Sequence, residues 1–346
     1  MIELKHDSLA FLFPDVHPSA AVSVNFQRTL RIPDDDKTYP LPPGLGAFPL
    51  RHVDDFADGV PAHWLEHGGV MMPMYQSEAM WLHFSGSYDP ERGVQYPMAI
   101  KVATGKIDAV TGKTWSNGLH RHPQDYMVTP GQPWLDGYCV EKGVIRQFVA
   151  MPLGEGYSAE EQITGKAEHG GLQIIVYPMK REVFERRFPK RPPLLRAMRI
   201  AESADFLCCA PPSAKSEMGL APGGRMKQDI FQDPFDFSDW DLTQSSRCFV
   251  HIANSLTWTS ITKQAPPLMP PSAADYTRYG LPWFDWYDDS LQAVDGSSVL
   301  GKLKRVLGIA KEKRQSPLPE NESCDPTKVV NLQPKRVGDK VREGAF

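Results

Sequence analysis

Proline and glycine interrupt this chain so often that long helices have little room. The 346 residues include 32 prolines, about 9% of the chain against an average near 5%, and 27 glycines. Proline breaks helices and is excluded from central strands, and sustained helical periodicity is nearly absent before Ser297. Short strands joined by turns fit this pattern. The sequence therefore predicts an α+β, β-rich fold, in which a sandwich- or barrel-like antiparallel or mixed sheet carries short helices and a C-terminal amphipathic helix.

Two strand signals flank a helix signal in the middle of the chain. Residues 144–151 and 172–177 are rich in β-branched and aromatic residues and are bounded by proline or glycine. Between them, Ser158 and Glu161 have the spacing of a capping box, and Gly165 suits the left-handed end of a short helix. This order predicts either a strand–helix–strand crossover or a long structured hairpin loop.

Composition suggests how the chain is divided. A periodic apolar stripe with many cations predicts an amphipathic helix near the C-terminus, and the polar, proline-containing residues after it predict an extended or disordered tail. The predicted division is an extended N-terminal segment over 1–20, a β-rich body over 21–290 with a sub-boundary near 189–224, the amphipathic helix over 297–314 and the tail over 315–346.

Charge and cysteine usage exclude several classes of protein. The formal net charge of −4 argues against a nucleic-acid-binding protein, which usually carries a strongly basic face. No apolar run approaches the ~20 residues of a membrane span, and the N-terminal residues lack the pattern of a signal peptide. Five cysteines without CxxC spacing indicate neither a disulfide framework nor a cysteine-rich zinc site. We expect a soluble cytoplasmic protein without a transmembrane segment.

Three charged residues fall on apolar rows of predicted strands. Arg28 interrupts the row of the strand over 21–32, Glu78 falls on the row of a strand over 70–84, and Arg146 shares a row with apolar neighbours. A buried charge is costly unless it is paired. We therefore predict that Glu78 pairs with Arg28 or Arg146, either as a structural ion pair or in a polar pocket.

The same residues open an enzymatic alternative. The loop after the strand at 144–151 carries several acids and a histidine, and titratable groups with perturbed pKa values gather at functional sites. An acid–base site, metal-assisted in one version, would combine Glu78, Arg146, Glu161 and His169. No nucleophile–base motif in the sequence specifies a reaction.

Two histidine pairs raise a zinc alternative, although the leading expectation is no cofactor. His63 and His67 match an H-x-x-E-H string, but Gly68 stops the helix that zinc peptidases of this kind require. His120 and His122 would face the same side of a strand, but no third ligand is evident nearby. Both pairs are more typical of ordinary loop or turn residues.

Two further stretches suggest binding. Glycines 223 and 224 precede Arg225 and Lys227, a rough match to an anion-binding loop, and Trp283 and Trp286 stand among acids in an aromatic cluster. Together with Arg28, these residues are candidate binding groups. The leading expectation is a protein that binds a protein partner or a small polar ligand through loops on a β scaffold. The alternatives are the enzyme above and a subunit of a larger assembly, including a homo-oligomer.

Overall fold

The computed structural model describes residues 1–190, 217–286, 291–316 and 318–332 and contains two large β-sheets. The strands are β1 (Ile2–Lys5), β2 (Ser8–Leu12), β3 (Ala21–Thr29), β4 (Thr38–Tyr39), β5 (Gly44–Ala47), β6 (Arg51–His52), β7 (Val70–Met74), β8 (Ala79–Gly86), β9 (Tyr88–Asp89), β10 (Val94–Gln95), β11 (Met98–Thr104), β12 (Ile107–Asp108), β13 (Met127–Thr129), β14 (Trp134–Leu135), β15 (Gly137–Glu141), β16 (Val144–Pro152), β17 (Leu172–Pro178), β18 (Met218–Lys227), β19 (Ser246–Asn254), β20 (Trp283–Asp285) and β21 (Val329–Asn331).

The helices are short and lie between or beside these strands. They are α1 (Ala62–His67), α2 (Ala159–Thr164), α3 (Arg181–Arg187), α4 (Ser255–Thr262), α5 (Ala273–Arg278), α6 (Ser298–Gly301) and α7 (Val306–Glu312), with 3-10 turns at Asp54–Phe56, Phe237–Asp239 and Pro319–Asn321. Among the described residues, no helix is long and apolar enough to cross a membrane.

Both large sheets are mixed, which confirms the predicted β-rich α+β class. The first has the order β1-β2-β3-β8-β16-β18-β4, with β5, β14 and β15 beside β3, β8 and β16. The second has the order β12-β11-β17-β19-β7-β6, with β13 beside β11. Antiparallel pairing dominates, and each sheet contains one parallel pair, β18 with β4 and β19 with β7.

The two sheets share one hydrophobic core. Val24 and Phe26 of β3 belong to the same buried cluster as Ile174 and Val176 of β17. Apolar side chains alternate with less buried ones along β3, as expected for a strand that packs on one face. The N-terminal segment predicted over 1–20 contains regular structure, since β1 and β2 form a hairpin that extends the first sheet.

The strand–helix–strand signal is confirmed locally, but its connection is of another kind. Ser158 accepts the Glu161 backbone N–H at 3.2 Å, Glu161 reaches back to Ser158, and Gly165 ends α2 with a positive φ of 73°. The flanking strands β16 and β17 lie in different sheets. The segment with α2 therefore links the two sheets and is neither a crossover within one sheet nor a hairpin.

The C-terminal residues pack on the body of the protein. The predicted helix over 297–314 is broken into α6 and α7, and Leu300, Leu303 and Val306 of its apolar stripe are buried. In the predicted tail, β21 pairs with β20 in parallel. The predicted sub-boundary falls largely on residues 191–216, and residues 333–346 of the tail also lie outside the described part.

Candidate functional site

Glu78 forms the predicted ion pair, and its partner is Arg28. The Arg28 Nε donates to Glu78 Oε1 at 2.7 Å, and Oε2 accepts the Tyr75 backbone N–H at 2.9 Å. Both side chains are almost fully buried. Burial raises the pKa of Glu78, and Arg28 partly offsets this rise. The strand predicted over 70–84 is divided between β7 and β8, so Glu78 lies in the turn between the sheets and fastens that turn to β3.

The other three predicted acid–base residues lie in separate surroundings. Arg146 donates to the Leu303 carbonyl at 3.3 Å, Glu161 caps α2, and the backbone N–H of His169 donates to Glu160 Oε2 at 3.2 Å. No hydrogen bond or ion pair joins any two of Glu78, Arg146, Glu161 and His169, all of which the structure describes. Their predicted convergence in one site is not found, because each is used by a different local interaction.

The histidine pairs do not form a metal centre. In the described ranges, no group of three or more His, Cys, Asp or Glu side chains is arranged to hold a metal ion. His67 Nδ1 lies 2.6 Å from the His63 carbonyl, and His63 Nε2 lies 3.2 Å from Glu217 Oε2. His120 is bonded to Asp125, and neither His120 nor His122 lies in a strand, so the two do not share a strand face.

The predicted binding residues are also dispersed. Arg225 makes two hydrogen bonds with Glu141, at 2.9 and 2.8 Å, while Lys227 is largely exposed. The predicted glycine loop is instead part of β18. Glycine is needed at position 224, since a side chain there would collide with the Pro33 carbonyl. Trp283 is fully buried in a second hydrophobic cluster, so its side chain packs in the core and is not exposed to a ligand.

A pair of adjoining cavities next to β11 and β12 was not predicted. The inner cavity has a volume of about 110 Å³ and the outer one about 500 Å³. Thr111, Lys113 and Pro123 line both cavities, so the two cavities share a wall. Lys101, Asp108, His120 and Asp125 line the inner cavity. We call these four residues the Lys101 cluster.

Lys101 is held in the middle of β11 with 1% of its side chain exposed. Its ammonium donates to Asp125 Oδ2 at 2.7 Å and to the carbonyls of Ser116 and Gly118 at 2.9 and 3.1 Å. The Trp115 ring lies 5.0 Å from Nζ. All three ammonium protons therefore have acceptors, which compensates the burial of the charge and fixes the loop after β12.

Asp125 also orients His120. Its Oδ1 accepts the His120 backbone N–H at 2.7 Å, and its Oδ2 lies 2.7 Å from the imidazole Nδ1. Asp125 is buried, whereas the His120 side chain is about half exposed. A carboxylate on Nδ1 favours the tautomer in which Nε2 is unprotonated and ready to accept a proton. Within the described part of the chain, Nε2 has no hydrogen-bond partner.

Asp108 is a second titratable group at the inner cavity. Its Oδ1 accepts the Thr111 backbone N–H and hydroxyl, both at 2.7 Å, while its buried Oδ2 has no partner among the described residues. Burial raises the pKa of Asp108 to about 7, a rise that the bonds from Thr111 partly offset and the charge of Asp125 reinforces. The carboxyl therefore exists in both protonation states near neutral pH and can donate a proton.

The outer cavity is lined by both polar and apolar groups and carries charges of both signs. Lys113 and Asp295 line it, and neither has an ion-pair partner among the described residues. Arg121, by contrast, lies 3.4 Å from Asp233, whose other contacts include the buried Tyr126 hydroxyl. These groups suit a small ligand that carries several hydrogen-bonding atoms.

Comparison with known proteins does not assign this chain to a family. No family model matches it, and no curated protein or solved structure gives a significant match.

Proposed function

We propose that this chain binds a small polar molecule in the two adjoining cavities and transfers protons on it. In this proposal His120 Nε2 takes a proton from the substrate, and the protonated Asp108 gives one to a substrate oxygen. Asp125 positions the imidazole and is balanced by Lys101. The observation that carries the proposal is the oriented His120–Asp125 pair, which lines one small cavity together with Asp108, whose Oδ2 has no partner among the described residues.

The properties of the two carboxyl groups support separate roles. Asp125 is bonded to an ammonium and an imidazole, whereas burial leaves Asp108 with a pKa of about 7. Pairs of titratable groups whose surroundings differ in this way are typical of acid–base sites. General acid–base catalysis by one such group typically contributes on the order of 10²–10⁴-fold in rate.

The charges of the outer cavity support a substrate class. Lys113 suits a carboxylate and Asp295 suits an amine or hydroxyl, so a small oxo acid or amino acid with an exchangeable C–H proton fits best. The inner cavity, at about 110 Å³, admits only the reacting end of such a molecule. The result of the two steps would be a proton shift, in which a C–H bond breaks and an O–H bond forms.

Proton abstraction can be tested before the full reaction is known. We would incubate the protein with a panel of small oxo acids and amino acids in D₂O and follow loss of C–H signals by proton NMR. The expected result is catalysed exchange in at least one compound, reduced about 10²-fold or more by His120→Gln.

Glu141→Gln, which alters a surface ion pair with Arg225, is the matched control and should exchange at the wild-type rate. Exchange that persists unchanged in His120→Gln would exclude His120 as the base. The absence of exchange across the panel, combined with no shift of the His120 ring signals by any compound, would reject the proposed site.

A further inference from the structure

A third cavity, which shares no lining residue with the two described above, lies among aromatic side chains of β8, β14 and β20. It has a volume of about 260 Å³ and is lined by Trp81, Trp134 and Phe284, with Leu41, Pro42, Pro43, Gly44 and Leu332 completing the wall. In the described part of the chain, Asp136 is its only ionisable lining residue. None of these residues belongs to the Lys101 cluster.

The strand pairing explains why the two tryptophans share this cavity. Trp134 of β14 pairs with His83 of β8, and Trp81 lies two residues from His83 on the same face. Trp286 packs edge-on against Trp134 with ring centroids 4.7 Å apart, which holds the Trp134 ring in place. The indole faces are therefore braced by the sheet and by a neighbouring aromatic ring.

Asp136 lies between β14 and β15 and lines the same cavity as Trp134. It is 4% exposed, and its buried Oδ2 has no hydrogen-bond partner in the part of the chain that the structure describes. Burial raises the pKa of Asp136 to about 7, and the Trp134 indole lowers it only in part. A buried carboxyl without a cationic partner is costly, whereas a bound cation would both pair with it and favour its ionised form.

We propose that this aromatic cavity binds a methylated ammonium group, with Trp81, Trp134 and Phe284 around the methyl groups and Asp136 opposite the charge. Aromatic faces attract weakly hydrated cations, and cages of this composition recognise quaternary ammonium groups. A primary ammonium needs several hydrogen-bond acceptors, but the described lining offers chiefly ring faces and one carboxyl. A fully methylated, quaternary ammonium carries no N–H proton and needs none of those acceptors.

The test compares choline with 3,3-dimethylbutan-1-ol, which has the same shape without the charge. Binding to the full chain would be measured by calorimetry and by tryptophan fluorescence at about pH 8, where Asp136 is largely ionised. We expect choline to bind at least about tenfold more tightly than the neutral alcohol. Equal binding of the two compounds, or binding of neither, would overturn the proposal.

Two variants locate the site. Asp136→Asn keeps the shape and removes the charge, and it should weaken choline binding about tenfold or more while leaving the neutral alcohol unaffected. Asp34→Asn changes another buried carboxyl outside this cavity and serves as the matched control, with choline affinity unchanged. Equal affinities in wild type and Asp136→Asn would overturn the proposal.

Two further measurements protect the test from misfolding and identify the source of the ligand. If Asp136→Asn fails to fold, Trp81→Leu replaces it. In the wild-type protein, choline affinity should fall between about pH 8 and about pH 6 as Asp136 gains its proton. A constant affinity over this range would count against the proposal. A peptide with trimethyl-lysine would then be compared with free choline. Tighter binding of the peptide indicates a protein-borne ligand, and tighter binding of choline indicates a free metabolite.

Discussion

His120 is bonded to Asp125 at two points: Nδ1 lies 2.7 Å from Oδ2, and the backbone N–H donates to Oδ1 at 2.7 Å. The ring therefore cannot rotate freely, although about half of its surface is exposed. Asp125 is in turn held by the Lys101 ammonium, 2.7 Å from the same Oδ2. A buried cation thus controls the orientation of an exposed imidazole.

Replacement of Lys101 by methionine should destabilise the protein strongly. Asp125 would lose its ammonium partner, and loss of one member of a buried ion pair typically costs about 3–5 kcal/mol. Urea denaturation measures the loss, and Lys106→Met, at a half-exposed ion pair with Glu168, is the control with little expected change. The double variant Lys101→Met/Asp125→Asn should cost less than the sum of its parts. Wild-type stability of Lys101→Met would contradict this account.

Asp108 should make the folded protein less stable as pH rises. Its pKa is about 7 in the folded protein against an ordinary value of 3.8. Between these two values the unfolded chain has released the proton and the folded chain has kept it. Each pH unit of this window therefore costs about 1.4 kcal/mol, or on the order of 4 kcal/mol in all.

Asp108→Asn removes this dependence of folding stability on pH and can therefore be used to test it. Relative to wild type, the variant should become more stable as pH rises from about 5 to about 8, as measured by urea unfolding at each pH. The raised pKa of Asp136 acts equally in both proteins and cancels in the difference. Parallel pH profiles for the two proteins would show that Asp108 ionises normally in the fold.

Removal of the Glu78 carboxylate should leave Arg28 buried without its partner. Glu78→Ala is expected to lower the free energy of unfolding by about 3–5 kcal/mol, and Glu78→Gln by less, since the amide oxygen can still accept from Arg28. Thermal unfolding of both variants gives the order. Glu141→Ala breaks the exposed pair with Arg225 and should cost much less. Equal losses at positions 78 and 141 would refute the distinction between the buried and the surface pair.

The sequence predictions that succeeded depended on local residue spacing or on the energetic cost of a buried charge. The capping box of Ser158 and Glu161 depends only on residues three apart, and so it could be recognised without knowledge of the fold. The cost of an unpaired buried charge predicted that Glu78 pairs with Arg28 or Arg146, and the structure shows Arg28 as the partner. The same rule applies to Lys101, which interrupts the apolar strand β11, but no partner was predicted for that residue.

Long-range packing accounts for the predictions that failed. Gly223 and Gly224 are a rough match to an anion-binding loop in the sequence, whereas the structure places them in β18, where their missing side chains allow close approach to Val149 and Pro33. Asp125 lies 24 positions after Lys101 in the sequence, and no periodicity determines how the segment between them folds back. The sequence therefore did not predict that the four residues of the Lys101 cluster lie together in one site.

A carboxylate from a distant loop caps the C-terminal helix α7. Arg305, the residue before this helix, makes no capping hydrogen bond with its side chain, and Asp34 Oδ2 instead accepts the Leu307 backbone N–H at 2.7 Å. An anion here also lies at the favourable end of the helix dipole. Asp34→Ala should therefore loosen α7 and cost about 0.5–2 kcal/mol.

Hydrogen exchange followed by mass spectrometry separates this effect from a general loss of stability. In Asp34→Ala, amides of residues 307–310 should exchange faster while those of β16 keep their protection. Ser158→Ala removes the cap of α2 and should instead affect residues 159–164. Unchanged protection of α7 in Asp34→Ala would mean that the burial of Val306 and Ile309 is sufficient to hold the helix, and that the capping bond contributes nothing measurable.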